Sequence, residues 1–318
     1  MRHPDERLPL RGLAHLLVVY LVWGSTYLAI RVLVRDGGGF PPFLLGASRT
    51  LLAAACLLAW NALRRNRVRP TAAEWRTLLP AGLLMWVGGN GLVNVGEMRA
   101  ASGYAALLVG TMPMWVALIE AIVDRRTPSL SLLGSLGIGF AGLGVLAWPA
   151  IRQGPTADLW SVVALIAAPL CWGLGSILQM RRPVGLGPTA SAGVLQLVGG
   201  VGFAGLSLVL REPRPSPGPL GWAAWGYLVI AGSIFAFTSY LTALRLLPMR
   251  IVTTYSYANP VIAVFLGWLI LGEKITGWTV GGTALVLAGI AGVFQTRFRT
   301  TKGRRGADRD NIGEARTP

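Results

Sequence analysis

Residues 160–180 read WSVVALIAAPLCWGLGSILQM, 21 consecutive positions without a charged side chain. A helix needs about 20 apolar residues to cross the ~30 Å hydrocarbon layer of a bilayer, so this stretch has the length of one crossing. The same pattern recurs on both sides of it. Apolar runs between polar or Pro/Gly breaks fall at about 13–34, 43–63, 78–98, 102–123, 131–149, 160–180, 190–210, 221–243, 251–271 and 278–297. Ten spans joined by short connections leave no room for a soluble catalytic domain. The expected fold class is an all-α membrane protein of ten transmembrane helices.

Composition agrees. Of 318 residues, 53% are hydrophobic and 13% charged, with mean hydropathy +0.56 and 42 glycines. Soluble domains carry about a quarter charged residues, and abundant glycine suits helices that pack closely in lipid. The formal net charge of +16 does not point to nucleic acid, because the basic residues sit between apolar runs and at the ends. They set orientation instead. If the N-terminus is cytoplasmic, 21 Lys and Arg fall on that side and six on the other, which by the positive-inside rule places both termini in the cytoplasm. Residues 1–12 then form a cytoplasmic lead and 298–318 a solvated, disordered basic tail. The first span is too long for a signal h-region and lacks a cleavage pattern, so it is expected to stay. Seven of the 12 tryptophans (Trp60, Trp75, Trp148, Trp160, Trp222, Trp225, Trp278) lie near span ends, as interfacial anchors do. Cys56 and Cys171 lie inside apolar runs and read as small buried hydrophobes; with only His3 and His15 besides, neither metal nor cofactor is expected.

The chain also repeats itself. Trp172-Gly173 matches Trp23-Gly24 at an offset of 149, with Ser176 and Ser25 nearby. At an offset of 147, Pro113 falls on Pro260, Gly134 on Gly281 and Ala141-Gly142 on Ala288-Gly289. Two five-span units, 13–149 and 160–297, follow. Because five is odd, the second unit enters the membrane from the opposite side, giving two inverted repeats. That is the architecture by which secondary transporters alternate access to a site near the midplane.

At this point the residues resemble a known family. Residues 20–31 (YLVWGSTYLAIR), Arg49, Ser102-Gly103, Thr111-Met112-Pro113, Asn259-Pro260 and Leu271-Gly272-Glu273-Lys274 look like the EamA family of the drug/metabolite transporter superfamily, within it the YedA-like branch. The resemblance covers about 13–297. It implies a ten-helix permease of the bacterial inner membrane that exports or exchanges small metabolites. The first half has Asp124-Arg125-Arg126 where the second has Gly272-Glu273-Lys274, which favours a structural turn over a working carboxylate at Glu273.

Ionisable groups inside a bilayer are costly and need a partner or a wet cavity. Arg31, Arg49 and Glu97 fall at similar depth near the outer side, and Asn94 and Asn90 continue the Glu97 face inward at helical spacing. They are candidates for an outer cluster in which Arg31 or Arg49 pairs with Glu97, closing a gate or holding a substrate carboxylate. Snorkelling and a packing ion pair are the plainer alternatives. Glu120, near Arg125 and Arg126, reads first as snorkelling. Pro113 and Pro260 read as matched kinks that hinge and expose backbone in both halves. Trp23 and Trp172 are the expected aromatic walls of a central cavity, with Ser25, Thr26, Tyr27, Ser176, Gln179, Ser239, Tyr240, Tyr255 and Asn259 around them.

Such a cavity suits a small-molecule substrate, either an amino acid or another amphiphilic solute. The Gly-rich runs 134–144, 199–205 and 281–292 lack a P-loop Lys and flanking strands and read as close helix packing. The expected partners are the solute and membrane lipid, without nucleic acid, and the working unit is a monomer. A passive facilitator of the same fold remains open. A membrane-embedded enzyme lacks a constellation at depth, His15 having no acidic pair within helical reach.

Overall fold

The computed structural model describes residues 8–34, 39–99, 105, 108–125, 127–152, 159–271 and 275–314. Among these residues every regular element is helical. The helices are α1 Leu10–Val34, α2 Pro42–Leu63, α3 Ala72–Glu97, α4 Met112–Asp124, α5 Leu130–Arg152, α6 Leu159–Arg181, α7 Pro188–Val209, α8 Pro219–Leu246, α9 Tyr255–Leu271 and α10 Gly277–Glu314. A single turn, Met249–Val252, precedes α9. Six stretches are long and apolar enough to cross a membrane: α2, α3, α6, α7, α8 and Gly277–Gln295 of α10. Apolar stretches Leu10–Thr26 and Leu130–Val145 are shorter.

Local chemistry sets the ends. Proline opens α2, α7 and α8 in the first turn, where its missing N–H has no intrahelical partner to lose. Thr71 and Glu74 form a capping box at the start of α3. Glu212, in the connection after α7, accepts from the Phe43 and Leu44 amides at 3.1 and 2.7 Å, placing a carboxylate at the N-terminus of α2.

Packing makes the two halves mirror each other's contacts. Helix α2 lies along α7 and α5 along α10, while α1 packs on α8 and α9 as α6 packs on α3 and α4. At the α5–α10 crossing the backbones touch. A Cβ on Gly142 would stand 2.6 Å from the Val286 amide nitrogen, and one on Gly289 would stand 2.5 Å from that of Gly139. These are one contact made twice, since both pairs keep the 147-residue offset read from the sequence.

Four features differ from expectation. Helices α3 and α8 each contain a nine-residue π-helical segment, Leu83–Gly91 and Leu228–Ala236, for which the apolar pattern carries no signal. The span expected at 102–123 breaks at Gly110 and Thr111, and Pro113 stands in the first turn of α4, so the chain there is interrupted rather than bent. Helix α10 runs on to Glu314 through the segment expected to be disordered; extending an existing helix avoids the nucleation cost, and no proline intervenes. Cys56 is exposed on α2, not buried.

Candidate functional site

A cavity of about 80 Å³ opens among α1, α2, α3, α4, α6, α8 and α9, so both halves of the chain build it. The two Trp-Gly pairs explain how. A Cβ on Gly24 would fall 2.7 Å from Ile262 of α9, and one on Gly173 would fall 3.2 Å from Val116 of α4. Each glycine lets its helix approach the neighbour on one side while the tryptophan before it reaches into the cavity.

The floor is aromatic. Trp23 and Trp172 meet edge to face with centroids 5.4 Å apart, and Trp23 also packs on Tyr240 at 5.1 Å and Tyr255 at 5.0 Å. Trp86 lies 6.0 Å from Trp172. Edge-to-face pairs of this kind contribute about 0.5–1.5 kcal/mol each beyond area burial. The side-chain polar atoms of Trp23, Trp172, Ser176 and Tyr240 are all used, whereas Trp86 Nε1 is buried without a hydrogen-bond partner. Trp23 Nε1 donates to the Gly232 carbonyl at 3.2 Å and Trp172 Nε1 to the Tyr240 hydroxyl at 3.1 Å. Ser176 donates to the Trp172 carbonyl at 2.7 Å, so the Tyr240 hydroxyl gives its proton to Ser176 across 2.6 Å. Ser176 and Tyr240 therefore brace the floor from behind and do not line the cavity.

The wall holds one described cation. Arg49 is 5% exposed; its Nη2 donates to Asn90 Oδ1 at 3.0 Å and its guanidinium lies 5.3 Å from the Trp86 ring centre. Trp86 and Asn90 both belong to the π segment of α3, which thus presents a ring and an amide to one guanidinium. Asn259 and Tyr255 line the opposite half's share, with Pro260 one residue further along α9. The Tyr255 hydroxyl donates to the Met112 sulfur at 3.1 Å.

Other expected residues stand elsewhere. Ser25 bonds the Val22 carbonyl and the Tyr227 hydroxyl, facing α8 rather than the cavity. Asn94 is fully buried and donates to the Pro42 carbonyl at 3.1 Å, tying α3 to the start of α2. Glu97 is buried at the end of α3, and among the described ion pairs none joins it to Arg49. The side chains of Tyr27 and Arg31 lie outside the described residues. Thr26 lines the cavity as expected, whereas Trp86, Gly89, Met112, Pro169 and Gly232 were not singled out as lining. Trp86 has no repeat partner, and its clue was only that it stood away from a span end.

Beyond the floor, on the side where α1 begins, further ties close the structure. His15 Nδ1 and Ser239 Oγ are 3.1 Å apart, Tyr20 bonds Thr254, and Arg181 pairs with Asp124 at 2.8 Å. These join α1 to α8 and to the turn before α9, and α6 to α4. The cavity ends above them.

Comparison with known proteins agrees with this architecture. The pattern of the EamA-like transporter family matches twice, at residues 10–148 and 159–295. The inner membrane transporter YedA of Escherichia coli (strain K12) is 33% identical over 276 residues, covering 85% of this chain and 86% of that protein. The transporter YoaV of Bacillus subtilis (strain 168) is 24% identical over 277 residues, covering 86% and 94%. A crystal structure 21% identical in sequence superposes with a TM-score of 0.74 over 91% of this chain and 98% of that one, a likeness of fold. A family pattern that spans both halves of the chain settles its membership: this protein belongs to the EamA-like transporter family.

Proposed function

We propose that the chain is a secondary transporter of the bacterial inner membrane, exporting or exchanging small amphiphilic metabolites by alternating access between two inverted five-helix halves. The observation that carries this reading is the cavity itself. It is lined from both halves at once, and in its floor the repeat partners Trp23 and Trp172 touch. A site at the interface of inverted repeats can be exposed to either face by rocking one half against the other. The mirrored contacts of α1 with α8 and α9, and of α6 with α3 and α4, support the repeat. The excess of 21 basic residues over six supports cytoplasmic termini and hence a cavity facing outward in this conformation. One chain holds the whole cavity, so a monomer suffices. The matched name of the relative YedA supports the inner membrane as the location.

The test is counterflow of a panel of labelled metabolites in proteoliposomes, with and without an imposed proton gradient. Saturable accumulation of at least one solute is expected. Flux that never saturates would make the protein a passive facilitator, and no flux of any solute would remove the transporter reading.

A further inference from the structure

The cation in the cavity wall is incompletely satisfied. A guanidinium carries five N–H donors in a rigid fork and a charge that it does not shed. Arg49 uses Nη2 on Asn90 and one face on Trp86, while its Nε is buried without a hydrogen-bond partner. None of the described residues lining the cavity is acidic. A buried charge of this kind is held at a cost unless an anion completes it. On the same cavity surface Asn259 is 1% exposed and its Oδ1 accepts no hydrogen bond. The wall therefore offers one positive fork and one vacant acceptor, set among the rings of Trp23, Trp86 and Trp172. Size narrows the choice: at about 80 Å³ the cavity is smaller than the ~150 Å³ engineered cavity that admits benzene.

Building on the transporter reading above, we infer that the solute is short and carries one carboxylate, held by Arg49, and one N–H or O–H donor, held by Asn259 Oδ1. Both small hydroxy acids and small amino acids have this chemistry. The carboxylate caps the free Nε edge of the guanidinium, the donor meets the amide oxygen, and the few carbons between them lie against the indoles. Charge selection comes from Arg49 and donor selection from Asn259, so the two are separable by substitution.

The test uses the full chain in proteoliposomes with three-carbon probes. L-lactate and L-alanine carry both groups, lactamide and alaninamide lack the carboxylate, and propionate lacks the donor. Counterflow and substrate protection of tryptophan fluorescence are read together. At least one of lactate and alanine should bind and exchange, its amide at least tenfold less well and propionate several-fold less well; which of the two binds identifies the source. Arg49→Gln should abolish the preference for acid over amide, and Arg49→Lys should keep part of it. Asn259→Leu should abolish the advantage over propionate while the acid-over-amide preference stays. Melting temperatures of the variants in detergent separate misfolding from lost recognition, and Arg49→Lys covers the case in which Arg49→Gln fails to fold. Amides that bind as well as acids, or acid preference surviving in Arg49→Gln, would overturn the inference. Counterflow of uncharged or longer solutes with none of lactate or alanine would overturn it and leave the transporter reading standing. Total inactivity toward every solute would remove both.

Discussion

The indole of Trp23 stands edge to face on that of Trp172, centroids 5.4 Å apart and planes at 84°, although 149 positions separate them in the chain. The two residues that the sequence repeat pairs by register are thus also partners in space. The inverted repeat proposed above would bring equivalent residues together only close to its twofold axis, where a site shared by both halves would lie.

That contact predicts a graded response. Trp172→Phe keeps most of the ring packing and loses the bond to the Tyr240 hydroxyl, a loss of about 0.5–1.5 kcal/mol. Trp172→Ala removes a buried indole that touches Trp23, Trp86, Phe237 and Tyr240, at about 3–5 kcal/mol. Thermal unfolding in detergent should show a small loss for the first and a large one for the second. Counterflow by Trp172→Phe should fall at unchanged protein abundance. Equal melting temperatures for the two variants would contradict the bracing role assigned to the floor.

The α5–α10 crossing predicts an asymmetry between a glycine at the contact on α10 and one away from it on α5. Gly289→Leu has no space, since even a Cβ would stand 2.5 Å from the Gly139 backbone, and overpacking of this kind costs about 1–3 kcal/mol or more. Gly137→Ala meets nothing within 4 Å and gains about 1 kcal/mol of helix propensity. Melting temperature should drop in the first variant and hold or rise in the second. Similar effects at both positions would mean that the helices do not cross where the backbone contact places them.

Legibility in the sequence followed the length scale of each signal. The apolar runs of about 20 residues are imposed by the bilayer itself, so most helix positions could be read directly. The Trp-Gly repeat marked the cavity because neighbouring positions on a helix point about 100° apart, so the glycine can admit a packed neighbour while the tryptophan reaches the cavity. What could not be read depends on partners distant in sequence. Arg49 was visible as an intramembrane charge, but its contacts are Asn90 and Trp86, brought to it by a π segment that leaves no trace in hydropathy. Ser25, three residues from its own hydrogen-bonded carbonyl at Val22, could equally have faced α8 or the cavity; only the approach of Tyr227 decides. Asn94 lay on the expected face of α3, yet its amide is spent on the Pro42 carbonyl.

The ties beyond the floor predict a shift between conformations. Thr254 gives its proton to the Ile251 carbonyl at 2.6 Å, so the Tyr20 hydroxyl donates to Thr254 Oγ1. Tyr20→Phe removes that donor and weakens the closed side by about 1 kcal/mol, a roughly five-fold change in a two-state equilibrium. Opening this side should expose the back of the floor. A cysteine at Ser176, fully buried behind Trp172 in this conformation, should then react faster with a permeant maleimide in Tyr20→Phe than in the parent. Unchanged reactivity would place the moving contact elsewhere.

The inversion of the halves can be tested without any substrate. Asn66, between α2 and α3, and Arg214, between α7 and α8, occupy corresponding connections of the two units, and both are exposed. If five crossings separate the units, these connections lie on opposite faces of the membrane. In a background with Cys56→Ser and Cys171→Ala, a cysteine at 214 should react with a membrane-impermeant maleimide added to intact spheroplasts. One at 66 should react only in inverted vesicles, because that connection carries Arg64, Arg65, Arg67 and Arg69 and short basic loops resist translocation. Labelling of both positions from the same face would rule out an inverted repeat and, with it, the alternating-access scheme, whatever solute the cavity holds.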